Sequence, residues 1–254
     1  MPMSGSARIY LILSLELMGA IRMGNEKNMI LSDLHTVLTW FSPSYPVGSY
    51  AYSHGLEYAV EEGLVKDPDT LLNWVRDLLF FGTGYNDSII INSIYDSVAG
   101  DNCVEFDYIS QIANAIKPTK EIALESYQVG VSFRNILMDV YSNSNLTFYL
   151  NRLDDCITYP SVVGVAGGIF EVEKNLLLHG YLHAFTSNIL SAALRIMPIG
   201  QTEIQKIIFQ MKGNVEEMTN KSQCLSLSDL GSSVFISDWA SSKHQNQYTR
   251  LFRS

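Results

Sequence analysis

The stretch YLHAFTSNILSAALRIMPIGQTEIQKII, Tyr181 to Ile208, sets the fold class of this chain. Up to Met197, apolar or small residues fall on nearly every face, with Leu182, Phe185, Ile189, Ala193 and Ile196 forming one stripe at helical spacing. A helix without a polar side belongs inside a protein, so this one is expected at the centre. Pro198 and Gly200 stop it. The next helix is expected from Thr202, with Glu203 in its first turn and Ile204, Ile207, Ile208 and Met211 on its buried side.

The same period recurs in both directions from this centre. Ser32 and Asp33 can cap a helix running to Phe41. After Asp67-Pro68-Asp69, apolar residues at Leu72, Val75, Leu78 and Leu79 predict a helix, with the GTG at 82–84 as its weak point. Ile89-Ile90-Ile91 could read as a strand, yet Ile94, Tyr95 and Val98 continue at 3-to-4 spacing and no neighbouring run alternates, so a helix is predicted. From Pro118 to Tyr141, Ile122, Leu124, Val129, Phe133, Ile136 and Leu137 form a long amphipathic stripe. In SVVGVAGGIF, Ser161 to Phe170, Gly164, Gly167 and Gly168 sit among valines and let another helix approach closely. The sum is an all-α protein, a single compact domain of about ten helices with no internal repeat.

The 254 residues are 47% hydrophobic, ample for a buried core. A formal charge of −9 disfavours nonspecific contact with nucleic-acid phosphates and suits a basic partner protein. Cys103, Cys156 and Cys224 are odd in number and lack CxxC spacing, which points to neither a disulfide framework nor a zinc ribbon. They read as reduced thiols of a cytoplasmic protein. Near the start, Arg8 precedes an apolar run to Ile21 that is interrupted by Glu16 and is shorter than the ~20 residues of a membrane span. With Met23 and Met29 just downstream, the first 22 to 28 residues are expected either to come from an upstream start codon or to form a disordered or loosely docked extension, set here as residues 1–28.

The segment FSPSYPVGSYAYSHGLE, Phe41 to Glu57, combines two prolines, two glycines, three tyrosines, one histidine and one glutamate. Its prolines hold an extended entry, and Gly48-Ser49 predicts a helix start that places Tyr50, Tyr52 and His54 on the first turns and ends at Gly63. Local pattern alone allows either a buried corner or a functional surface. Ser49, Ser53, His54 and Glu57 do not form a nucleophile elbow, because no G-x-S-x-G turn accompanies them. No G-x-x-x-x-G-K-[ST] loop is present, so any nucleotide dependence belongs to a partner. His179 and His183 stand at i, i+4, a metal-compatible spacing, but without an HExxH glutamate packing or surface histidines are expected. His35 and His244 carry no further signal. The segment from Ser237 ends in Tyr248, Arg250, Leu251, Phe252 and Arg253, residue types that make interface hot spots.

Tyr45 to Glu57 resembles the signature of the urease accessory protein UreF family, roughly F-P-x-G-[AS]-[FY]-x-[HY]-S-x-G-L-E. Tyr181 to Ile208, Ser237 to Ser254 and, more weakly, Ser161 to Phe170 are similar in the same order, so the resemblance spans roughly Met29 to Ser254. Tyr45 stands where Phe is usual, and Tyr52 precedes Ser53-His54 where many members differ. The resemblance implies a non-enzymatic, all-α scaffold that dimerises, binds UreD/UreH and through it recruits the GTPase UreG, helping deliver nickel to apo-urease and assisting carbamylation of its active-site lysine. It carries no cofactor of its own.

The implied division is an extension at 1–28, a helical domain at 29–236 and a partner-binding tail at 237–254. The implied contacts are Pro46, Gly48, Tyr50, His54 and Glu57 in the first block, and Tyr248, Arg250, Leu251 and Arg253 in the tail. Two other readings stand beside it: a generic helical adaptor, and a helical enzyme with a closed pocket.

Overall fold

The computed structural model describes residues 29–253, and the expectation for residues 1–28 lies outside them. Helix α1 covers 29–40. It is followed by α2 (Leu56–Glu61), α3 (Pro68–Phe81), α4 (Thr83–Ala99), α5 (Cys103–Ala115) and α6 (Lys120–Val140). The chain continues through α7 (Ser144–Arg152), α8 (Tyr159–Ile169), α9 (Lys174–Ile196), α10 (Gln201–Ser222) and α11 (Phe235–His244). Short 3₁₀ turns lie at Ser49–Ala51, Asp154–Cys156 and Leu227–Asp229. There is no strand among the described residues, and none of their helices is long and apolar enough to cross a membrane.

Local chemistry places most boundaries. Asp67 and Thr70 form a reciprocal capping box with Pro68 at the first helical position of α3. Asn102, Thr119, Asn143 and Thr158 cap α5, α6, α7 and α8 through their side chains. Pro118 thus precedes the cap of α6 rather than entering its first turn.

The core centres on α4, α8 and α9. Every residue of α8 from Pro160 to Gly168 is buried, and the helix lies between α4 and α6. Its glycines permit this. A Cβ on Gly164 would stand 2.8 Å from Ile94 Cβ and 2.9 Å from the Ile91 carbonyl oxygen, so α4 passes closer than a side chain allows. Helix α9 buries Leu177, Leu178, Tyr181, Leu182, Ile189 and Leu190 and contacts α2, α3, α4 and α10, as its lack of a polar face predicts. Trp40 of α1 closes one end, edge-on to Phe133 at 5.9 Å, with its indole N–H donated to the Tyr141 hydroxyl at 3.3 Å.

Two sequence expectations differ from the structure. Ser32 and Asp33 lie inside α1, and the Asp33 carboxylate instead accepts the Glu173 backbone N–H at 3.0 Å, tying α1 to the start of α9. The helix expected from Ser49 to Gly63 is two pieces. Tyr50 lies in a 3₁₀ turn, Tyr52 is extended, and His54 and Gly55 have φ of 56° and 78°, so α2 starts only at Leu56. Close packing sets this break: a Cβ on Gly55 would lie 2.9 Å from the Ser241 backbone nitrogen of α11.

Candidate partner-binding site

Residues 48–57 cross the surface next to residues 244–253, and the two stretches are stitched together mainly through backbone groups. Three successive carbonyls of the first stretch are each claimed. Asn188 Nδ2 donates to the Ser49 oxygen at 3.0 Å, an Arg195 guanidinium nitrogen to the Tyr50 oxygen at 2.7 Å, and the Arg253 backbone N–H to the Ala51 oxygen at 2.8 Å.

Glu57 is the main anchor. Its carboxylate accepts the Leu251 N–H at 2.7 Å, the Phe252 N–H at 3.1 Å and His244 Nε2 at 2.9 Å. His244 is fully buried, and facing a carboxylate its Nε2 is the donor. Phe252 is buried, and the Arg195 guanidinium stacks over its ring at 4.2 Å to the centroid. Partial burial lowers the Arg195 pKa from its ordinary value. Gln247 adds a hydrogen bond to Glu61, and Trp239 meets Tyr58 edge-on at 5.3 Å.

Beneath this clasp lies a polar core. His54 Nε2 pairs with Thr83 Oγ1 at 2.8 Å and Nδ1 with Glu125 Oε1 at 3.2 Å, while Phe185 packs edge-on against the ring at 5.4 Å. Lys117 donates to Asp87 Oδ1 at 2.9 Å and Tyr181 to Asp87 Oδ2 at 2.6 Å, with Lys117 and Asp87 almost completely buried. Burial, then the Asp87 charge, holds the Tyr181 hydroxyl well above its ordinary pKa. Both groups line a cavity of about 70 Å³. The hydroxyl, imidazole and carboxylate of Thr83, His54 and Glu125 stand in the order of an acyl-transfer triad, but that space admits a few waters and no acyl substrate. These groups tie the loop before α2 and the α5–α6 connection to α4, α6 and α9.

The structure therefore divides the sequence-derived site residues by position. Pro46, Tyr50, Tyr248, Arg250, Leu251 and Arg253 are exposed, with Tyr50 at 67% and Leu251 at 61% despite their apolar surface. His54 and Glu57 are buried, and Gly48, at φ 76°, turns the loop between the two sets. Ser49, Ser53, His54 and Glu57 share no single constellation, since His54 turns to Thr83 and Glu125 while Glu57 turns to the tail. Sequence reasoning missed Arg195, His244, Thr83 and Glu125 as partners in this arrangement. Their separations in sequence, such as 187 residues between Glu57 and His244, leave no local pattern.

His179 and His183 both lie on α9, where burial and then His183 depress the His179 pKa. Among the described residues, no group of three or more His, Cys, Asp and Glu is placed to hold a metal ion.

Glu57→Ala is expected to free the tail while the core stays folded. Two amides and one imidazole lose a charged acceptor, a loss of about 1.5–3 kcal/mol for each such bond in a buried setting. Hydrogen exchange read by mass spectrometry should show protection vanish at Leu251 and Phe252, with trypsin cutting after Arg250 far faster. Retained protection there would show that the Arg195–Phe252 stack alone holds the segment.

The UreF family model matches residues 65–212. The chain is 37% identical over 221 residues to the urease accessory protein UreF of Rhodopseudomonas palustris strain BisA53, covering 87% of this chain and 93% of that protein. It is 37% identical over 218 residues to the same-named protein of Azorhizobium caulinodans, covering 86% and 94%. With that of Methylorubrum populi it shares 36% over 222 residues, covering 87% and 99%. With matches of this extent and an all-helical architecture, the chain belongs to the UreF family of urease accessory proteins.

Proposed function

We propose that this chain is a cytoplasmic, dimeric scaffold for urease maturation that binds UreD/UreH and through it recruits the GTPase UreG for nickel delivery to apo-urease. Its membership of a family whose members are named urease accessory proteins carries the reading. The architecture supports it: Tyr50, Tyr248, Arg250, Leu251 and Arg253 are displayed on one stitched surface, held by the buried Glu57 and by the exposed Arg195. Aromatic, arginine and aliphatic groups on a preordered backbone lose little entropy when a partner docks. Nickel is the cargo of the assembly, and GTP hydrolysis belongs to UreG.

The experiment is size-exclusion chromatography with light scattering on the chain mixed with its cognate UreD/UreH, followed by UreG and GTP. A stable complex that gains UreG only through UreD/UreH supports the scaffold; elution alone in every mixture refutes it. Arg250→Ala should weaken capture of UreD/UreH by about 1–3 kcal/mol, since the side chain is exposed and its backbone is held independently. Helix content and oligomeric state should stay as in the wild type. Undiminished capture would remove Arg250 from the interface.

A further inference from the structure

Away from the clasp, the end of α3 and the start of α11 enclose an open groove of about 470 Å³, lined by Trp74, Asp77, Phe81, Val234, Phe235 and Ile236 among others. Two features separate it from ordinary surface.

Its apolar residues are unusually bare, with Phe235 78%, Ile236 60% and Phe81 51% exposed in one patch. Its floor is fixed in advance: the Ser233 N–H donates to the Phe81 carbonyl at 2.9 Å, the Gly231 N–H to Asn86 Oδ1 at 2.9 Å, and Val234 packs where a Cβ on Gly82 would stand.

Charge selects the occupant. Asp77 is the one ionisable residue among those lining the groove. No Lys or Arg lines it.

We infer that this groove docks a basic segment of a partner protein, which seats an apolar side chain against Phe235 and Ile236 and sets a cation beside Asp77. This inference rests on the scaffold reading and adds to it a second contact surface, separate from Arg250 and its neighbours. Both surfaces lie on or beside α11, so one partner can span them.

The test is titration calorimetry of the full chain with its cognate UreD/UreH, using wild type, Ile236→Asp and Asp77→Asn. Ile236 is exposed, so its substitution should leave circular dichroism and melting unchanged while weakening binding roughly 30-fold or more. Asp77→Asn keeps the shape and removes the charge, and should weaken binding by up to about fivefold.

Wild-type affinity in Ile236→Asp, with the wild type itself binding, overturns the groove and leaves the scaffold reading intact. Failure of the wild type to bind overturns both. If Ile236→Asp instead converts a dimer to a monomer with partner affinity unchanged, the occupant is a second copy and the inference is wrong.

Discussion

Lys117→Ala is expected to lower the stability of the chain by about 3–5 kcal/mol, the cost typical of breaking a buried ion pair by removing one partner. The Asp87 carboxylate would remain, 4% exposed, with Tyr181 as its single hydrogen-bond donor. A lone buried charge is far more costly than a missing attraction. For a domain of this size, the melting midpoint should fall by roughly 10 °C or more.

The pair itself need not stabilise the fold, and a second variant separates the two ideas. Lys117→Met with Asp87→Leu removes both charges and should recover much of the loss, but not all, because the buried Tyr181 hydroxyl is then left without its acceptor. Adding Tyr181→Phe should close most of the remaining gap. Denaturant melts of the four proteins decide the matter. A loss under about 1 kcal/mol in Lys117→Ala would mean that water reaches Asp87 through the adjoining cavity.

Gly164→Leu should cost about 3 kcal/mol, the upper end of the overpacking range. The new side chain would meet the Ile91 carbonyl and the Ile94 Cβ at less than contact distance, and neither is the far end of a flexible side chain that can swing aside. Helices α4 and α8 would have to separate. Gly167→Leu, on the same helix, should cost less, because Leu177 meets the new atoms with its δ-methyl and can change rotamer. Gly213 supplies the control. It sits on the exposed side of α10 with open space around it, so Gly213→Ala should stabilise by about 0.5–1 kcal/mol. Equal melting of Gly164→Leu and wild type would mean that the close approach of the two helices is not needed.

The all-α class was legible because it rests on local periodicity. The stripes at Tyr181–Met197 and Pro118–Tyr141 are read within one helix and needed no tertiary knowledge. The break at Gly55 was not legible in the same way. A glycine after a histidine in an apolar run can lie within a helix or end one, and the deciding fact is the Ser241 backbone of α11, which lies 186 residues further along.

The site divides likewise. Tyr50 and Arg250 could be singled out by residue type and by the resemblance to a family. Glu57 could be named but not given its role, because the role is to accept two amides, and amides leave no trace in a sequence. His244 and Arg195 offered nothing distinctive for the same reason: each acts on a partner that is far along the chain, or on a backbone carbonyl.

The Glu57 clasp also sets an order of events during synthesis. Glu57 leaves the ribosome 195 residues before the Phe252 amide it binds, which at about 5–20 residues per second is a wait of roughly 10–40 s. Through that interval its carboxylate is solvated, the slot for the Phe252 ring is open, and the Ala51 carbonyl is free. The joint surface of Tyr50 and Arg250 therefore cannot exist on a nascent chain, and translation halted before residue 244 leaves a helical body without it. A partner that reads this surface binds only chains that extend past Phe252, a dependence written into one carboxylate.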